Sequence, residues 1–186
     1  MNSFKTTSAL FLLFFAFNIQ AQVETKVTTK YTLASTLGVG AGLDYGGIGA
    51  NLLYYPTAKL GVFGGFGYAF AGVGYNFGAK FRLIANKEFP KINPYLTAMY
   101  GYNAAIAVKD ATQFNKIFYG PTVGAGIDFN PNSAKKSGYW SLAILVPIRS
   151  SEVDKYFDYL KYSKGIKFEN ELFPIAISLG YRFKLN

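Results

Sequence analysis

The sequence predicts an all-β protein: an eight-stranded, antiparallel, up-and-down transmembrane β-barrel that follows a cleaved signal peptide. Three observations carry this expectation. The N-terminus has the layout of an export address. The remainder alternates apolar with small or polar residues in eight segments separated by turn residues. The apolar face of that alternation is also the bulkier one, which is the wrong way round for a barrel dissolved in water.

Composition sets the frame. The chain has 186 residues and no cysteine, which suits one domain held together without disulfides. It is 51% hydrophobic, 18% aromatic and only 16% charged, which argues against disorder. The formal charge of +9 raises the question of nucleic acid. The cations are scattered, however, and the longest run is the pair Lys135 and Lys136. A phosphate-binding protein normally gathers its cations into a patch or stripe, so no nucleic-acid partner is expected.

Residues 1–21 read as the signal peptide. Lys5 and the amino terminus supply the positive start, Ala9 through Phe17 the apolar stretch, and Ile19, Gln20 and Ala21 a cleavage box before Gln22. No cysteine follows the cut, so a lipoprotein anchor is not expected. Residues 22–30 form a short N-terminal segment, and 31–186 the barrel. Beyond the signal no run approaches the roughly 20 apolar residues of a membrane helix.

The strands follow in order, each with a period of two. In 31–45 the odd positions run from Tyr31 through Leu33, Leu37, Val39 and Leu43 to Tyr45, opposed by Thr36, Gly38, Gly40 and Gly42. Gly46 and Gly47 turn the chain into 48–55, with Ile48, Ala50, Leu52 and Tyr54 on the apolar face. After a turn at 56–59, the strand 60–70 presents Leu60, Val62, Phe66, Tyr68 and Phe70. Ala71 and Gly72 lead into 73–85, where Val73, Tyr75, Phe77, Ala79, Phe81 and Leu83 oppose Gly74, Asn76, Gly78, Lys80 and Arg82. A turn at 86–91 precedes 94–108, with Leu96, Ala98, Tyr100 and Tyr102 outward. A polar loop at 109–116 leads to 117–129, where Ile117, Tyr119, Val123, Ile127 and Phe129 oppose Gly120, Thr122, Gly124, Gly126 and Asp128. The turn 130–138 is rich in Asn, Pro and Ser. The strand 139–148 shows Trp140, Leu142, Ile144, Val146 and Ile148. A long connection covers 149–171, and 172–185 closes the series with Phe173, Ile175, Ile177, Leu179, Tyr181 and Phe183 against Ser178, Gly180, Arg182 and Lys184.

Eight strands joined mostly by short turns form an antiparallel meander, and closing it removes both sheet edges. The apolar face carries Leu, Val, Ile, Phe and Tyr; the other is largely Gly, Thr, Asn and Ala with a few charges. The second face suits a narrow interior, which leaves the first to meet lipid, where only a closed barrel satisfies every backbone group. Aromatics recur near the strand ends: Tyr31, Tyr54, Phe81, Phe129, Trp140, Tyr181 and Phe183 at one rim, Tyr45, Tyr68, Tyr75, Tyr102, Tyr119 and Phe173 at the other. Such girdles mark the two membrane interfaces. Export places both termini in the periplasm, with 46–47, 71–72, 109–116 and 149–171 as the outer connections. An alternative is that the long connection adds two strands, making ten.

With the export signal, the eight alternating strands, Asn93, Pro94 and Tyr95 opening the fifth, and the ending Leu179, Gly180, Tyr181, Arg182, Phe183, Lys184, Leu185, Asn186 on the page, the chain resembles small outer-membrane β-barrel proteins of the OmpA/OmpX-like type. The resemblance covers 31–186. It implies a bacterial outer-membrane location, contact with outer-membrane lipid, and insertion by the barrel-assembly machinery. Roles in such a family range over envelope integrity, surface interaction and small pores. Members often end on an aromatic residue; here the last residue is Asn186, and Phe183 is the nearest aromatic.

Catalytic chemistry finds little material. The chain has no histidine and no cysteine, which removes Ser-His-Asp and Cys-His arrangements and zinc sites built on imidazole. The Gly-x-Gly runs lack the continuation of a phosphate loop. Neither an enzyme nor a cofactor nor a metal site is expected. The carboxylate pairs Asp154 with Asp158 and Glu169 with Glu171 read as solvated loop charges. Two groups of residues stand out instead. Lys80, Arg82, Asp128, Arg182 and Lys184 take inward positions near the periplasmic end, where Asp128 is expected to bridge to Arg82 or Arg182 in a polar network, or in a gate of an anion-preferring pore. Val153, Tyr156, Phe157 and Leu160 recur at helical spacing in the long connection, as a short amphipathic helix that either packs on the barrel mouth or contacts lipid or a partner. The expected function is a non-enzymatic structural, envelope or surface-interaction role. The alternatives are a narrow pore for solutes or anions and a soluble barrel carrying an apolar ligand.

Overall fold

A computed structural model of the chain describes residues 34–84, 91–109, 111–131, 138–168 and 172–185. The expected signal peptide, the segment 22–30, Tyr31, Glu169, Glu171 and most of the turns 86–91 and 130–138 lie outside the described residues. The unit 31–186 is described by itself.

Its eight strands are β1 (Ala34–Gly42), β2 (Gly47–Tyr55), β3 (Leu60–Tyr68), β4 (Val73–Arg82), β5 (Ile92–Ile106), β6 (Lys116–Phe129), β7 (Gly138–Pro147) and β8 (Ala176–Lys184). Each pairs antiparallel with its neighbour in sequence, and β1 pairs with β8, so the sheet is a closed barrel. The closing seam runs from Thr36 opposite Lys184 to Ala41 opposite Leu179. The start of β1 and the end of β8 therefore share one end of the barrel, the terminal end; the other is the loop end. The ten-strand alternative does not hold. Among the described residues between β7 and β8 there is a helix, α1 (Ser151–Asp158), which runs into a π-helical turn at Tyr159–Ser163, and no strand.

The period of two decides which side chains face out. Leu37, Leu52, Phe66, Phe77, Leu96, Ile144 and Ile177 are exposed, whereas their alternates Thr36, Asn51, Asn76, Thr97, Ala143 and Ser178 are buried. At the terminal rim Phe129 pairs with Trp140 and Trp140 with Tyr181, and the ring centroids of Trp140 and Tyr181 lie 5.2 Å apart. At the loop rim Tyr75 and Tyr119 meet at 4.8 Å.

Three sequence expectations change. First, the interior is not made of small and polar residues alone. Leu53, Tyr55, Phe63, Tyr95, Met99 and Leu145 point inward and pack with Leu43 and Ala143. A barrel of this strand number has an interior that side chains fill, and glycines on neighbouring strands leave room for several of the large ones: Gly61 beside Leu53 and Tyr55, Gly78 beside Met99, Gly124 beside Leu145. A Cβ at Gly126, for instance, would fall onto the Tyr95 phenol.

Second, the first strand stops at Gly42 rather than Tyr45. Leu43–Tyr45 forms a 3-10 turn that folds into the barrel, and Gly46 with φ 70° sends the chain back into β2. Tyr45 is 1% exposed, so it belongs to the interior and not to the outer aromatic rim.

Third, Tyr102 leaves the outer rim. The β5–β6 register shifts between Tyr102 and Ala104, and Tyr102 is half-buried against the interior cluster. Past this bulge, β5 and β6 continue as a hairpin reaching Ile106 opposite Lys116. Helix α1 lies on that hairpin: Val153 and Leu160 pack against Ala104, Ile106, Val108 and Phe118.

Candidate functional site

The interior holds the polar chemistry, and it is built in two layers. Near the terminal end, Lys80 on β4 donates to Asp128 Oδ1 on β6 at 2.7 Å, with both side chains almost fully buried. The same ammonium group donates to Ser141 Oγ at 3.3 Å and lies 3.5 Å from the centre of the Tyr95 ring. Tyr95 Oη in turn is 3.0 Å from Ser141 Oγ. A buried ammonium thus has a carboxylate, a hydroxyl and an aromatic face around it, which is what keeps a buried charge tolerable.

Asp128 therefore pairs with Lys80, not with Arg82 or Arg182 as the sequence suggests. The two arginines find other partners suited to a flat guanidinium. Arg182, 2% exposed, donates to Thr36 Oγ1 at 3.3 Å and to Asn51 Oδ1 at 2.7 Å. The Arg82 guanidinium stacks 3.6 Å from the centre of the Tyr55 ring. Lys184 is half-buried at the end of β8, level with Thr36. All five predicted residues thus sit on inward positions toward the terminal end. Tyr55, Tyr95, Tyr139, Ser141, Thr36 and Asn51 complete the layer and were not singled out from the sequence. Their parity already placed them: Tyr95 precedes outward Leu96, and Tyr139 precedes outward Trp140.

The second layer is the inward turn Leu43–Tyr45. Asn76 on β4 donates through Nδ2 to Leu43 O, and Asn51 on β2 donates to Asp44 O at 2.6 Å. Ser178 on β8 donates to the Asp44 carboxylate. The Tyr45 ring lies across Gly38 and Gly40 of β1 and Gly180 of β8; the Asp44 carbonyl approaches Gly65, the Tyr45 carbonyl Gly49 and Gly67, and the carbonyl of Gly46, just after the turn, Gly74. A Cβ at any of these positions would meet the turn. Gly38 and Gly40, with Gly49, Gly65, Gly67 and Gly180, are the socket of this internal plug, whose Leu43 and Asp44 carbonyls are satisfied by buried asparagines.

The second predicted group is also placed. Val153, Tyr156, Phe157 and Leu160 all turn toward the β5–β6 hairpin. Tyr156 Oη donates to Phe114 O at 2.9 Å, and the Phe157 ring stacks on Phe168 at 4.2 Å. The helical spacing is thus spent on packing within the chain, and what remains exposed on this segment is chiefly polar, with Tyr159 and Tyr162 outward.

Fold and interior together define a class: a closed antiparallel β-barrel with an apolar outside and a filled interior pinned by buried polar contacts. No protein-family model matches the sequence, and no curated protein matches it.

Proposed function

We propose that this protein is an integral outer-membrane β-barrel with a non-enzymatic role in the envelope or at its surface, of the OmpA/OmpX-like kind. One observation carries this reading: the polarity of the barrel is inverted. Phe66, Phe77, Ile144 and Ile177 are more than half exposed on the outside, while Lys80, Asp128 and Arg182 are buried inside. Leaving such a surface in water costs about 1.5–3 kcal/mol for each large apolar side chain, and soluble monomers rarely expose a continuous apolar patch of this kind. Lipid removes that cost. The nine residues of β1 span about 30 Å at roughly 3.3 Å per residue, or near 23 Å when tilted by about 40°, which matches the apolar band of a membrane barrel. Aromatic pairs at both rims fit the two interfaces. The N-terminal export pattern supports a route to the outer membrane, with both chain termini, and so the terminal end of the barrel, in the periplasm, lipid as the surrounding partner, and the barrel-assembly machinery as the partner during insertion.

Two features weigh against the alternatives. A narrow pore needs a wet path, and Leu53, Tyr55, Phe63, Tyr95, Met99 and the Tyr45 plug fill the lumen. A soluble carrier of an apolar ligand needs a polar outside. Fractionation of expressing cells tests the proposal. The expected result is carbonate-resistant protein in the outer-membrane fraction that migrates faster unheated than boiled. Carbonate-extractable protein with no heat-dependent migration counts against the membrane assignment.

A further inference from the structure

The inward turn does more than fill space: it ties the chain's first strands to its last. Asn51 and Asn76 hold it from β2 and β4, which are near it in sequence. On its opposite side it reaches β8, where Ser178 donates to Asp44 over a separation of 134 residues. The Tyr45 ring bridges the closing seam from within, covering Gly38 and Gly40 on β1 and Gly180 on β8. Gly40 and Gly180 are direct partners across that seam. The Arg182 guanidinium lies 5.8 Å from the same ring.

Of all the strand pairs in the barrel, β1 with β8 closes the longest loop of chain. Its loop-closure entropy must be overcome before its hydrogen bonds contribute. A surface that already belongs to the N-terminal strands and is shaped to receive β8 lowers that barrier. We propose that the Leu43–Tyr45 turn is an internal latch: held by β2 and β4 once these form, it captures β8 through Asp44 and Tyr45 and so guides closure of the barrel. The inference rests on contacts inside the barrel and not on the membrane reading.

The test measures seam closure by strand-specific crosslinking, which the cysteine-free sequence makes clean. One variant carries Ala41→Cys with Leu179→Cys across the β1–β8 seam, and a second carries Val62→Cys with Ala79→Cys across β3–β4. Purified protein unfolded in urea is refolded by dilution, in parallel with and without lipid vesicles, and disulfide formation is followed in time in whichever condition restores the folded barrel. Adding Asp44→Ala, which removes the carboxylate that Ser178 meets while leaving the Ser178 hydroxyl 3.4 Å from Ala41 O across the seam, is expected to slow the β1–β8 crosslink about fivefold, the factor to which about 1 kcal/mol of hydrogen bond corresponds. The β3–β4 crosslink should keep its rate. Asp44→Asn retains a carbonyl acceptor for Ser178 and should leave both rates near those of the parent. Equal slowing of both seams by Asp44→Ala, or no slowing of either, overturns the latch.

Discussion

The phenol of Tyr45 occupies the space left by the missing side chain of Gly180: a Cβ at position 180 would fall onto its Oη and Cζ. This makes Gly180 a packing requirement rather than a conformational one, since its backbone lies in an ordinary strand. Gly180→Ala is expected to cost about 1–3 kcal/mol, the usual range for overpacking a tight interior. Gly64 is the matched control. It lies on β3 with only one atom near a built Cβ, Asn76 O at 3.9 Å, so Gly64→Ala should stay within about 0.5 kcal/mol of the parent. The urea midpoint of the fast-migrating folded form, measured for both variants, checks the difference.

Lys80 and Asp128 form a buried pair whose members cannot be removed singly without leaving a charge behind. Lys80→Met or Asp128→Leu alone is expected to destabilise by about 3–5 kcal/mol, whereas Lys80→Met with Asp128→Leu should recover much of that loss. Equilibrium unfolding of the four proteins as a double-mutant cycle gives the coupling directly. Additive single and double effects would show that the 2.7 Å contact carries no coupling.

The loop helix makes a separate, local prediction. Leu160 is 0% exposed against the β5–β6 hairpin, outside the strand ladder. Leu160→Ala is expected to cost about 2–5 kcal/mol of that packing without opening the barrel. Limited trypsin treatment should then cut the variant faster near Lys161 and Lys164, while the barrel keeps its heat-dependent migration. Parallel loss of both would place Leu160 in the barrel's own cooperative unit.

Electrical silence follows from the filled interior. Purified protein in planar bilayers should show no channel events, and Asp128→Ala should remain silent because the Tyr45 plug and the tyrosine layer stay in place. Stable unitary steps in the parent protein would contradict a filled lumen and return the pore reading.

Much of this architecture is legible in the sequence, and the parts that are not have physical reasons. A period of two reports which face a residue takes, so strand order, parity and inward Lys80, Asp128 and Arg182 all follow from it. The parity of Tyr95 and Tyr139 carries the same information, but parity alone does not say which charged group an inward tyrosine meets. The inward turn is invisible to periodicity, because Leu43 and Tyr45 continue the apolar beat of β1 while the backbone leaves the sheet. The remaining trace is Gly42 and Gly46, both at positive φ, on either side of it. Pairing among the interior charges is also beyond a pattern of alternation. Side-chain shape decides it: a compact ammonium reaches Asp128, and flat guanidinium groups lie on Tyr55 or spread between Thr36 and Asn51.

The central claim is that the outside of this barrel meets lipid, and Trp140 reports on it most directly. It is the sole tryptophan of the chain, faces outward, and sits in the aromatic rim beside Tyr181. Reconstituted into vesicles whose acyl chains carry bromine, the protein should show strong quenching of Trp140 fluorescence, greatest for bromine near the headgroup end, together with resistance to aqueous iodide. Emission that bromolipids leave unchanged and iodide quenches would contradict the account.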